Sequence, residues 1–186
     1  MTLEQQLAKL ADLGLVLDDS ITIDDILYSF DRNAYEKRPF DLILFVLGIE
    51  VERAPWGRPV CSRVWNFDTE CIIETGDYVC IVKRLCQVAG RPDCLKDVSD
   101  FVDRDAGKAW LKYKINGTER NWAVEVNDDW ADTLTLNYVM GDIERDGRRF
   151  YFKDNGQASV LFYLDAGTAA ELNRLSKNAL KPVLAE

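Results

Sequence analysis

Histidine is absent from the 186 residues, so imidazole metal ligands, imidazole general bases and imidazole pH sensing are all excluded. No CxxC occurs, and the five cysteines (Cys61, Cys71, Cys80, Cys86 and Cys94) are odd in number, so neither a zinc knuckle nor a fully paired oxidised scaffold is expected. Long hydrophobic runs are missing too. The longest, Leu42 to Leu47, falls far short of the roughly 20 apolar residues that cross a bilayer. The first residues, Met1-Thr2-Leu3-Glu4-Gln5-Gln6, lack a basic region leading into an apolar one, so no signal peptide is expected and the cytoplasm is the expected compartment. GxxxxGK[ST], GxGxxG after a strand, GxSxG and HExxH are all missing, so no cofactor is called for.

What is present is acid. With 32 acidic against 23 basic residues the net charge is −9, which argues against direct nucleic-acid or membrane binding and favours a basic partner. Apolar residues make up 47% of the chain, enough for a core without staples, and no linker divides it. A single α+β domain over 1–186 is expected: a mainly helical part (1–48), a strand and helix part (49–177) and a C-terminal tail (178–186).

Thr2 and Gln5 read as a capping box before the stripe Leu3, Leu7 and Leu10, and Thr22 with Asp25 as a second box. Pro39 to Gly48 favours a short buried helix, with a buried strand as the alternative. From Ile49 the period becomes two. Glu50 and Glu52 alternate with Ile49 and Val51, and Arg63 to Ile73 reads as a strand with Trp65, Phe67, Cys71 and Ile73 inward. Thr75 is the expected cap of an amphipathic helix carrying Tyr78, Ile81, Val82, Leu85, Val88 and Ala89, stopped by Gly90 and Pro92.

Asn116-Gly117 predicts a type I′ hairpin. Pairing Ile115 with Thr118 sorts Tyr113/Arg120, Leu111/Trp122 and Ala109/Val124 onto one face. The other face receives Lys114/Glu119, Lys112/Asn121, Trp110/Ala123 and Lys108/Glu125. A second turn is expected at Asn155-Gly156, between strands apolar on both faces and hence central or covered by a helix. Asp132 precedes a stripe of Leu136, Val139, Met140 and Ile143, and Thr168 with Glu171 reads as a third capping box. The sum is a mostly antiparallel sheet of about six strands, with N-terminal helices and repeated hairpin–helix units.

Candidate site residues come from acids and aromatics. Asp68 and Glu70 project from one strand face with Cα atoms about 7 Å apart, a spacing open to acid–base work or a cation. Asp97, Asp100, Asp103 and Asp105 cluster without the glycine and terminal glutamate of a calcium loop. Glu125, Asp128, Asp129 and Asp132 surround Trp130. A solvated surface is the ordinary reading of each cluster, a protein-binding face the next, and catalysis or a metal the last. Trp56 in a Pro/Gly loop, Trp110 on the polar hairpin face and Trp130 are candidate interface anchors; Trp65 and Trp122 read as core. Cys80 and Cys86 read as small residues on or beside an apolar helix face.

The stretch Trp65-Asn66-Phe67-Asp68-Thr69-Glu70-Cys71-Ile72, then Gly76-Asp77-Tyr78, resembles a family of small bacterial proteins. So do Ala109-Trp110-Leu111, Trp122 and Asn127-Asp128-Asp129-Trp130-Ala131-Asp132. The resemblance spans about positions 39 to 175. It implies an immunity partner of a polymorphic or type VI-secreted toxin, and carries no catalytic residues over. The expected function is therefore binding and neutralising a cognate, basic toxin such as a nuclease, through Trp56, Asp68, Glu70, Trp110, Asp128, Asp129, Trp130 and Asp132. The alternatives are a carboxylate-dependent enzyme using Asp68 and Glu70, with or without a metal, and an adaptor or chaperone for a secreted effector.

Overall fold

The computed structural model describes residues 1–184. Four helices come first: α1 (Leu3–Asp12), α2 (Ile23–Ile26), α3 (Arg32–Lys37) and α4 (Asp41–Val46). Strand β1 (Val64–Asp68) and helix α5 (Asp77–Val88) follow, then strands β2 (Lys96–Asp103), β3 (Lys108–Ile115) and β4 (Thr118–Val124). Helix α6 (Thr133–Ile143), strands β5 (Arg148–Asn155) and β6 (Ala158–Asp165), helix α7 (Ala166–Ser176) and strand β7 (Leu180–Pro182) complete the order. The fold is α+β, as its alternating periodicities imply.

The strands form two antiparallel sheets, ordered β1-β6-β5-β7 and β2-β3-β4, where a single sheet was expected. Burial explains the split. Both faces of the four-stranded sheet are already covered, and β2–β4 need only one covered face. On one side Val64, Val160, Phe162 and Leu164 join α1–α4 and Ala169 and Leu172 of α7 in a common core. On the other, Phe67, Phe150, Leu161 and Tyr163 share a core with α5, α6 and the inner face of β3. The segment read as a tail supplies β7, which pairs with β5 through Tyr151, Phe152 and Lys153.

The first hairpin has the expected register from Ile115↔Thr118 to Ala109↔Val124, with Asn116 and Gly117 both at positive φ. Lys114, however, pairs with Asp97 at 2.8 Å rather than with Glu119 across the strand. The second turn lies one residue later than expected. Asn155 pairs with Ala158, leaving Gly156 and Gln157 as the loop, and only Gly156 of these two has positive φ.

Both N-terminal capping boxes form, at Thr2 with Gln5 and at Thr22 with Asp25. The apolar run is a helix, as favoured, beginning at Asp41. Gln6, fully buried in α1, donates to the Tyr35 carbonyl and accepts from the Phe40 amide, tying α1 to α3 and to the start of α4. The 49–52 segment is not a strand; Glu50 makes one isolated bridge to Pro59. The strand expected over 63–73 ends at Asp68, and Ile73 is 71% exposed rather than inward. Two sets of hydrogen bonds cause this: Cys71 and Ile72 both donate to the Asp129 carbonyl, and Asp77 accepts from the Ile73 and Glu74 amides. Thr168 is not a cap. Asp165 caps α7 by accepting from the Thr168 amide, while Glu171 pairs with Arg174.

Gly48 sits where the N-terminal helices meet β1. Its carbonyl accepts from the Asn66 amide at 2.7 Å, and an added Cβ would stand 2.6 Å from that nitrogen. Gly48→Ala should therefore destabilise the fold by about 1–3 kcal/mol, measured by denaturant unfolding. A second prediction concerns Asp25, whose side chain is 4% exposed and bridges Arg53 at 2.8 Å and Arg58 at 3.0 Å. The Arg58 hydrogen bond, then those from Thr22, hold its carboxyl well below the usual range. A depressed carboxylate contributes stability that is complete above the unfolded value of about 4 and is lost as pH falls below it. Asp25→Asn should lower the unfolding midpoint at neutral pH and flatten its decline in acid.

Candidate functional site

Where β1 ends, the chain crosses to the loop before α6. Ala131 donates to the Thr69 carbonyl at 2.7 Å, and Glu70 forms a bridge with Trp130. This seam brings Asp68 and Glu70 to the same edge as the 127–131 segment. Asp68 accepts from the Glu70 amide, and Gln157 donates its side-chain amide to Glu70 at 3.0 Å and to Asp68 at 3.4 Å. Asp68 and Glu70 are both exposed. Asp68 lines a cleft beside α5 that also holds Cys71, Asp77 and Arg84; Glu70 is not among its lining residues. Among the described residues, no group of three or more Cys, Asp or Glu is disposed to hold a metal ion.

Asp132 differs from its neighbours. Its carboxylate accepts from the Leu134, Thr135 and Glu125 amides and from the Thr135 hydroxyl, and so is consumed in capping α6. Burial works to raise its pKa, but these donors outweigh it and hold the carboxyl below its ordinary value. Asp128, at φ +49°, forms an ion pair with Arg104. Asp129 contributes its backbone carbonyl to the seam.

Strand β2 sets the other wall. On an ordinary amphipathic strand the apolar residues face inward, yet here Asp100 is inward and Phe101 outward. Asp100, 8% exposed, accepts from the amides of Gly76, Tyr78 and Val79, and so caps α5 from across the core. Thr75 was the expected cap; its hydroxyl instead accepts from the Val102 amide. The aspartates at 97–105 thus play different parts. Asp97 pairs with Lys114, Asp100 caps α5, and Asp103 accepts from the Ala106 amide in the turn.

Between this wall and the seam lies a groove of about 780 Å³. Ile73 and Phe101, the latter 38% exposed, supply its apolar surface, and Glu74, Asp103, Asp105 and Asp128 bring four carboxylates against the one guanidinium of Arg104. Phe101 continues onto the outer face of the three-stranded sheet, where its ring stacks with Trp110 at 6.2 Å and the Lys112 ammonium lies 4.6 Å from the Trp110 ring centre. Trp130, 37% exposed, stands on the seam side. Ile73, Phe101 and Arg104 escaped the sequence reading. An aromatic at 101, three residues before an Arg and opposite Trp110, was the available signal, but only once β2 is recognised as a strand.

Trp56 does not belong to this surface. It is 73% exposed on a loop tied to the N-terminal helices, where Arg58 donates to the Pro55 and Ser20 carbonyls and pairs with Asp25. Trp65 and Trp122 pack, half-buried, against the α5/α6 core, and Trp122 donates to the Tyr113 hydroxyl at 3.0 Å. Cys86 is buried as expected, whereas Cys80 is exposed.

No family model, curated protein or solved structure matches this chain. No helix among the described residues is long and apolar enough to cross a membrane.

The position of Phe101 depends on the inverted strand. Asp100→Ala leaves the amides of Gly76, Tyr78 and Val79 at the start of α5 without their acceptor, so stability should fall by about 1–3 kcal/mol. Hydrogen exchange at the first turn of α5 should accelerate ahead of its later turns; uniform protection along the helix would refute the capping role.

Proposed function

We propose that this protein is a cytoplasmic immunity protein that binds and blocks a basic toxin, with the groove around Ile73, Glu74, Phe101, Asp103, Asp105 and Asp128 as the docking surface. The observation that carries the reading is the pairing of exposed Ile73 and Phe101 with a surplus of carboxylates around them. Buried aromatic and aliphatic anchors supply most of the dwell time in protein complexes, while complementary charge governs the encounter. A nuclease cleft must attract phosphate and is therefore basic, which makes it a natural target for an acidic inhibitor. Asp68, Glu70 and Asp129 extend the negative rim past Trp130. Trp110 extends the apolar strip on the opposite side.

Co-expression with the product of the neighbouring reading frame is the direct test. Growth arrest by that product, relieved by the wild-type protein and not by Phe101→Ala/Ile73→Ala, is the expected result. With the purified pair, Asp103→Lys/Asp105→Lys should slow association about tenfold at low salt and remove most of its salt dependence. A neighbouring product that is harmless and does not bind would overturn the proposal. Binding without relief of arrest would identify an adaptor instead.

A further inference from the structure

A pair of cysteines lies outside this groove, at the turn that joins α5 to β2. Cys86 is 2% exposed in the last turns of α5, and Cys94 is half-buried two residues before β2. Their sulfurs are 3.5 Å apart, within S–H···S hydrogen-bonding distance and about 1.5 Å longer than a disulfide bond. The intervening backbone folds back to make this contact: Arg91 donates to the Cys86 carbonyl at 2.9 Å, and Cys94 donates to the Arg91 carbonyl at 3.0 Å. Gly90, at φ +67°, allows the reversal. Arg91 is itself anchored by its guanidinium on the Ile143 carbonyl.

We propose that Cys86 and Cys94 form a reversible disulfide by exchange with a low-molecular-weight disulfide such as oxidised glutathione. Cys94, the more accessible sulfur, attacks as thiolate. Its bond to one glutathione sulfur forms as the glutathione S–S bond breaks, and one glutathione thiolate leaves. Cys86 then gives its proton to water and attacks Cys94, expelling the second glutathione. Two protein thiols are oxidised and one glutathione disulfide is reduced to two thiols, so the electrons balance. The electrostatics suit these roles. The neighbouring Cys86 thiol holds Cys94 below the ordinary thiol value, whereas the same contact and burial push Cys86 up. Closure would tie α5 to β2 at this end, as Asp100 and Thr75 do at the other.

Trypsin reads the pair directly, because Arg91 precedes Pro92 and resists cleavage. One peptide, Leu85–Lys96, therefore carries Cys86 and Cys94 and no other cysteine. The folded protein is titrated with oxidised glutathione until exposed Cys80 is fully glutathionylated, then alkylated, digested and weighed. The expected Leu85–Lys96 peptide is lighter by two hydrogens and wholly protected from alkylation, and dithiothreitol restores both thiols. In Cys86→Ala, Cys94 should retain a glutathione adduct that the wild type does not accumulate. A wild-type peptide alkylated at both sulfurs, or carrying glutathione without loss of two hydrogens, would overturn the proposal.

Discussion

Strand β6 turns Val160, Phe162 and Leu164 into one core and Leu161 and Tyr163 into another, and the molecule is organised around that double burial. A strand covered on both faces has no solvent side to relax into, so a slip of one residue would exchange the two sets of side chains between cores of different shape. Its neighbours inherit that constraint. β1 and β5 are registered on β6 over their whole lengths, and β7 is registered on β5. The N-terminal helices and α7 cover one face, while α5 and α6 cover the other. The seam and the groove then follow from where β1 runs out, at Asp68, beside the chain that leads into α6.

The second sheet is fixed differently. One of its faces joins the α5/α6 core and the other meets solvent, so apolar and polar residues should alternate inward and outward. β3 obeys, with Leu111, Tyr113 and Ile115 buried. β2 reverses the rule at two adjacent positions. An inward aspartate would be costly if unpaired, but three helix amides receive it, and the α5 dipole favours a negative charge there. The outward position is then left to Phe101. A structural requirement of α5 thereby exposes an aromatic ring beside the groove. The same network logic locks the far side, where Arg120 and the Tyr113 hydroxyl both reach Asp142 of α6.

Local rules were legible wherever chemistry and period agreed. Asn116-Gly117 combined a positive-φ pair with charge sorting across the strands, and the register followed. Asn155-Gly156 carried the same dipeptide, but its neighbours are apolar on both faces, so side-chain sorting could not fix which two residues form the loop. β2 was illegible because Asp97, Asp100 and Asp103 mask its alternation. The inward Asp100 makes sense only with α5 in view, 21 to 24 residues away in sequence. Ile73 failed for a related reason: its strand period continues in sequence while Asp77 and the Asp129 carbonyl end the strand in space. Asp25 was legible as a cap and not as an ion-pair centre, since its arginine partners lie 28 and 33 residues further on.

The acids can now be separated by what the fold does with them. Asp25, Asp100, Asp132 and Asp165 accept backbone amides at helix starts, and three of them lie below ordinary carboxyl pKa values as a result or by added ion pairing. Folding accounts for their charge. Glu74, Asp105 and the Arg104-paired Asp128 gather around a groove instead, together with Asp103, whose single turn hydrogen bond leaves its charge facing the same space. Like charges gathered there repel one another, so the folded state gains little from the cluster beyond the Arg104–Asp128 pair and the Asp103 turn bond. Such an arrangement gains from meeting a cation. Because Ile73 and Phe101 stand within it, our proposal assigns that cation to a macromolecular surface with apolar contacts of its own rather than to a solvated ion.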